Sequence, residues 1–255
     1  MASFSVVNNI AAVNAQANLA MTSIGLNKSM ARLTSGLRIN QSGDDAAGLA
    51  VANGHRSTVA VLTQGVRNAN DGLSTLQIKD GALNNISNLL DRLATLATQS
   101  ASASSSVNRT TLDNEFQDVL TEIDREANVA GLTSSAGFSV FVSSNGANGT
   151  VGGTIGAADS AGLSLTGLDI TTDTNAATAL TSITSAVTAL GDVQGSVGTI
   201  ENRLGYAISL AQSQIVNTQA AESRIRDANI AEESSNLTRY QILTQSGIEI
   251  GRAHV

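Results

Sequence analysis

The chain has 255 residues, no Cys, Pro or Trp, and a formal net charge of -7, with Lys and Arg together numbering 14. That charge excludes a general nucleic-acid binder, which needs a basic surface to displace counterions, and the missing Cys excludes disulfides and thiolate metal sites. A hydrophobic share of 42% can build a core, but with only 2% aromatic residues it must be packed from Ala, Leu, Ile and Val, as in close-set helices.

From Met1 to Asn27 no residue is charged. The run is expected to be neither a cleavable signal peptide nor a membrane span, because Asn8, Asn9, Asn14, Gln16 and Asn18 interrupt its apolar residues and it has no basic residues. Leu19, Leu26, Met30, Leu33 and Leu37 fall on one stripe of a helix. The stripe halts at Asn40 to Gly43, where Ser42 or Asp44 can cap a second helix through Ala46 and Ala47. Leu73, Leu76, Leu83, Ile86, Leu90, Leu93 and Ala97 continue the periodicity in a long helix, which the Ser and Ala run from Ser100 to Ser106 should end. A third helix, with Leu112, Phe116, Val119 and Ile123 on one face, is expected to fold back antiparallel to the second.

Between Gly131 and Gly167 the pattern changes. Phe138, Val140 and Val142 alternate with polar neighbours, Asn145-Gly146 suits a hairpin turn, and Thr150-Val151 and Thr154-Ile155 can supply return strands. Gly149 to Gly156 lacks the Lys-Ser/Thr of a phosphate loop and is expected to be a β turn. Helical spacing returns at Leu180 and runs through Ile183, Leu190, Val197, Ile200, Leu204, Ile208 and Ile215. A polar stretch near Asn217 to Glu222 precedes a last segment carrying Ile225, Ile230, Leu237, Ile242 and Leu243. The fold class is therefore mainly α: long antiparallel helices in a coiled-coil-like bundle, with a small β-hairpin in the middle. No single compact core accounts for all the stripes, so the uncharged N-terminal helix is either disordered alone or buried in an assembly.

Nothing points to an enzyme, a cofactor or a metal. His55 lies near a helix surface and His254 in the last residues, and with no Cys neither a His–Cys site nor a His-rich metal site is available. Asp44-Asp45 is better explained as helix N-terminal charge than as an ion site, and Glu232-Glu233 as solvated helix charge.

Leu33-Thr-Ser-Gly-Leu-Arg-Ile-Asn40 followed by Gly43-Asp-Asp-Ala-Ala-Gly48 is similar to the flagellin N-terminal signature, and Arg67 to Gly72 to its next block. Glu201 to Leu204, Ala221 to Ile225 and Leu237 to Leu243 are similar to the C-terminal blocks, and Gly162 to Ile170 resembles the strand leading into the C-terminal core helix.

The resemblance implies a structural subunit that leaves the cell unfolded through a type III-like channel and polymerises into the extracellular flagellar filament for motility, with no cleavable signal. The implied partners are other flagellin subunits, cap and hook-associated proteins, and an export chaperone at the C-terminal segment. Nucleic acid and membrane insertion are not implied. The absence of Pro and Cys suits unfolded transit, since neither slow isomerisation nor a disulfide can obstruct it.

On this basis residues 1–42 would form an N-terminal filament-core helix, 43–130 the N-terminal spoke helices, 131–175 a short β element in place of the family's variable domain, 176–219 a C-terminal spoke helix and 220–248 the C-terminal filament-core helix. Leu26, Leu33, Leu37, Ile225, Leu237 and Leu243 are the expected assembly seam. Leu90, Arg92, Leu96 and Glu115 match positions at which animal innate receptors contact flagellins, with Asp91 and Ala94 departing from the receptor-active pattern.

Glu249 to Val255 does not continue the apolar stripe, and one codon set for it reads as a sequencing-library adapter. The expectation is an artefactual tail in place of the family's last turns. A hook–filament junction protein and a soluble coiled-coil adaptor are the alternative readings.

Overall fold

The computed structural model of the chain describes residues 10–102, 108–143 and 149–253. Their order is α1 (Ile10–Ser35), α2 (Ala46–Ala101), α3 (Arg109–Val129), β1 (Ala136–Phe141), β2 (Thr150–Ile155), α4 (Asp173–Arg226) and α5 (Ile230–Ala253). The chain divides into two compact units, one of residues 1–59 with 216–255 and one of residues 60–215, so that α2 and α4 each belong in part to both. Among the described residues, no helix is long and apolar enough to cross a membrane.

The unit of residues 60–215 holds the large apolar core. Leu76, Leu83, Ile86, Leu90, Leu93 and Ala97 of α2 pack with Phe116, Leu120 and Ile123 of α3 and with Ile183, Leu190, Val197, Ile200 and Leu204 of α4. Their spacing of threes and fours puts them on one side of each helix. The helices alternate in direction: Arg92 of α2 is ion-paired with Glu115 of α3, the Ser100 Oγ near the end of α2 donates to the carbonyl of Ile170 just before α4, and Gly72 lies near Leu204.

Helix α3 ends in a Schellman turn. Gly131 has φ +63, and the N–H groups of Gly131 and Leu132 donate to the carbonyls of Asn128 and Ala127. The Lys79 ammonium donates to the carbonyls of Ala130 at 2.7 Å and Gly131 at 2.9 Å. Burial in this position lowers the Lys79 pKa.

Strands β1 and β2 pair antiparallel, with Val140 opposite Val151 and Phe138 opposite Gly153. The alternation at Phe138, Val140 and Val142 thus marks a real strand. Within the stretch Gly149 to Gly156, where a turn is expected, the return strand runs unbroken from Thr150 to Ile155, because Gly152 and Gly153 let the backbone lie close to Phe138 and Ile200. The Asn145-Gly146 turn lies outside the described residues. The hairpin seats on α2 at two glycines: a β-carbon on Gly65 would overlap the Val142 carbonyl, and one on Gly72 would meet the Val140 side chain.

Three other expectations change. Gly162 to Ile170 is not a strand but a series of turns, with Ser164 and Gly167 at positive φ and Leu163, Leu165 and Ile170 buried. Helix α1 ends at Ser35, short of residue 42. Helix α4 runs through the polar stretch at 217–222 to Arg226, so the break near the C-terminus falls at residues 227–229. Polar residues do not end a helix whose backbone bonds continue, and this stretch has no Gly or Pro to interrupt them. Helix α5 continues through Ala253, and His254 and Val255 lie outside the described residues.

The glycine seat predicts opposite signs for two similar substitutions on α2. Gly65→Ala should destabilise the protein by about 1 to 3 kcal/mol, since backbone must move. Gly81→Ala, in open space, should stabilise it by up to about 1 kcal/mol. Urea unfolding of each variant checks this.

Candidate assembly surface

In the unit of residues 1–59 and 216–255, α1 and α5 pack antiparallel. Tyr240 faces Gly25 and Gly247 faces Leu19, while Arg32 pairs with Glu233 at 3.5 Å. Both helices end or begin at one joint, where the chain segments after α1 and after α4 meet in an isolated antiparallel bridge between Leu37 and Asp227. The Arg38 N–H donates to the Arg226 carbonyl at 2.6 Å, and the Ala228 N–H to the Gly36 carbonyl at 2.9 Å.

Each helix end at the joint is satisfied by a named residue. Gly36, with φ +70, turns α1 off and donates its N–H to the Arg32 carbonyl. The Arg38 guanidinium donates through Nη2 at 2.8 Å and Nε at 3.3 Å to the last-turn carbonyl of Ile225 in α4. Asn229 accepts from the N–H groups of Ala231 and Glu232 at the start of α5.

At the start of α2 the cap is Asp45, whose Oδ1 accepts from the Gly48 N–H at 2.8 Å, in place of Ser42 or Asp44. Asp44 instead holds the loop: its Oδ2 accepts from the N–H groups of Asn40 and Gln41, and its Oδ1 is 2.7 Å from the Lys28 ammonium on α1. These donors, Lys28 foremost, hold its carboxyl down at about 2, against an ordinary 3.8.

Burial here is sparse. Among the described residues of this unit, only Ile39 and Ala52 are buried hydrophobics. Of the expected seam, Leu26, Leu33 and Leu237 are half-buried, and Leu37 and Ile225 lie half-buried at the joint. Leu243 is exposed and lines, with Asn14, Asn18, Leu19 and Thr22, a groove of about 360 Å³ between α1 and α5.

The sequence stripe also missed a second one. Ile10, Val13, Met21 and Ile24 line another side of α1, with Ile24 at 69% and Met21 at 73% exposure, and Ile242 and Ile248 are exposed on α5. Their spacing of three, eight and three residues is legible as a helical stripe, but it was masked by the stronger Leu series.

The residues matched to receptor contact do not form one surface. Leu90 and Leu96 are at 0% and 1% exposure in the core of residues 60–215, because both belong to the inward stripe of α2. Arg92 and Glu115 are on the surface, paired with each other.

Residues 6–142 match the bacterial flagellin N-terminal helical region, and residues 180–251 the bacterial flagellin C-terminal helical region. The chain belongs to the bacterial flagellins. It is 34% identical to a flagellin of Halalkalibacterium halodurans over 94% of this chain and 91% of the relative. It is also 32% identical to the flagellar filament 33 kDa core protein of Treponema phagedenis, over 94% and 92%. The crystal structure of Bacillus cereus flagellin is similar with a TM-score of 0.48 at 28% identity, covering 61% of this chain and 94% of that one. Membership makes the chain a structural subunit of filaments, in keeping with a surface built of apolar stripes.

The Asp44 tie should show in acid. A carboxyl held below its unfolded value contributes stability that is complete above about pH 4 and is lost as the pH falls through about 2. Asp44→Asn should therefore cost about 1 kcal/mol at neutral pH, given that Lys28 is half exposed. The gap from the parent, followed by thermal loss of helicity, should close between pH 4 and 2.

Proposed function

We propose that this flagellin polymerises with copies of itself into the flagellar filament through the outward apolar sides of α1 and α5, that it is exported unfolded by the flagellar type III apparatus, and that the filament serves swimming. The observation that carries this reading is the exposure of Ile10, Val13, Met21 and Ile24 on a helix whose other stripe already faces α5. Apolar area left in water forgoes about 25 cal/mol per Å², and many copies stacked on one another can bury it.

Such an assembly is heterologous, one patch meeting a different patch on the next copy, so it grows as a helix and does not close. No charged residue precedes Lys28, which suits burial of α1 among copies. Cap and hook-associated proteins at the filament ends, a chaperone for the C-terminal segment, and an extracellular location follow from the same reading. Contact with an animal innate receptor on the outer helices falls to Arg92 and Glu115.

Salt-induced polymerisation of the full chain, followed by light scattering and electron microscopy, tests the proposal. The parent should give long filaments. Ile24→Glu should reduce them about tenfold or more, as a charge replaces buried apolar area. A parent that stops at small oligomers, or an Ile24→Glu chain that polymerises normally, overturns it.

A further inference from the structure

Gly25 and Tyr240 carry no role in the seam of leucines, yet they meet more closely than any leucine pair would allow. A β-carbon built on Gly25 would lie 2.7 Å from both Cε1 and Cζ of the Tyr240 ring, well inside van der Waals contact. The ring therefore occupies the space that any other residue at position 25 would fill. About two turns further along the pair, the relation reverses: Leu19 of α1 reaches to within 3.2 Å of a β-carbon placed on Gly247 of α5. Each helix thus offers a large side chain to a glycine on the other. Gly25 is in the interior of α1, where glycine is a poor helix former compared with alanine. Its φ is not positive, so no backbone requirement explains it. What explains it is the space.

We infer that Tyr240 in the Gly25 slot, seconded by Leu19 over Gly247, is the element that sets the register of α5 on α1. Leucine seams tolerate a shift by a turn or a heptad, because one leucine resembles the next along the stripe. A ring and a slot do not. Shifting α5 along α1 would bring the ring against a residue with a side chain, and there is one Gly in α1 to receive it. The neighbouring Arg239 guanidinium lies 5.4 Å from the ring centroid, so the ring is held between the slot and a cation. Register in turn decides which outward residues of α5 come level with Ile10, Met21 and Ile24 on the outward side of α1. The inference rests on the terminal pairing that the assembly reading uses, but it can be tested without filaments.

The chain has two tyrosines, Tyr206 and Tyr240, and no Trp, so in a Tyr206→Phe background the tyrosine band of the near-ultraviolet circular dichroism, at longer wavelength than the Phe bands, reports Tyr240 alone. Gly25→Ala in that background should lower the Tyr240 band about twofold or more and raise quenching of its fluorescence by acrylamide, because the ring must leave the slot. Far-ultraviolet helicity should hold. An unchanged band overturns the inference. If helicity also falls, Gly25→Ala/Tyr240→Ala decides: it should match the helicity of Tyr240→Ala alone, and a deficit that persists without the ring overturns the slot. A parent chain that keeps the Tyr240 signal yet forms no filaments would sink the assembly reading and leave the slot standing.

Discussion

The bridge between Leu37 and Asp227 is the constraint on which the terminal pairing depends. Two chain segments, one leaving α1 and the other leaving α4, exchange backbone hydrogen bonds there as a two-residue ribbon. Helix ends leave unsatisfied carbonyls and N–H groups that must find partners. Here the partners are largely shared: Arg38 gives its backbone N–H to Arg226 and its guanidinium to Ile225, so one residue closes the end of α4 while anchoring the segment after α1. The bridge holds together the points where α1 ends and α5 begins, and the contacts between the two helices settle their register from there. Moving one segment by a residue would cost the bridge and the Arg38 bonds together.

The two units obtain their stability differently. Residues 60–215 bury whole leucines and a phenylalanine among three helices and seat a hairpin on glycines, so their order follows from hydrophobic burial within one chain. Residues 1–59 and 216–255 bury little, and rely on caps, the bridge and pairs such as Lys28–Asp44 and Arg32–Glu233. Partly exposed ion pairs contribute little each. A long helix pair held mainly by these has surface to spare, and that surface is apolar. The same property that leaves the unit poorly buried in one chain makes it suited to burial among several.

Apolar periodicity was sufficient to place the helices, because stripes such as Leu76 to Ala97 and Leu180 to Ile215 have one solution: a helix with that side inward. It also placed the hairpin, where Phe138, Val140 and Val142 alternate. What it could not place were boundaries set by hydrogen bonds, such as the break at 227–229, since α4 passes through polar residues that cap nothing. The cap of α2 moved from Ser42 or Asp44 to Asp45 because Gly48, three residues on, leaves room for that carboxylate. Residue-by-residue transfer from a family carries no information on which way a side chain faces. Leu90 and Leu96 share a helix with Arg92, but they continue the inward stripe of Leu83, Ile86 and Leu93 at steps of three and four, and only the charged pair is left in water.

Glycine is where composition misleads most. Gly25, Gly65, Gly54 and Gly81 all sit within helices, and by propensity alone each is a weakness of similar size. The structure separates them. Gly54 and Gly81 face open space and leave α2 unbroken, so their cost is uncompensated. Gly65 admits a carbonyl of the hairpin and Gly25 admits a tyrosine ring, and in both the missing β-carbon is the contact surface. The distinction depends on what approaches from another part of the chain, at a sequence distance of 77 residues for Gly65 and Val142 and 215 for Gly25 and Tyr240. No local pattern carries that information. It follows that the positions defining how these helices mate are the ones a search for apolar stripes passes over, and that the leucine seam supplies attraction while the glycines decide where it is satisfied.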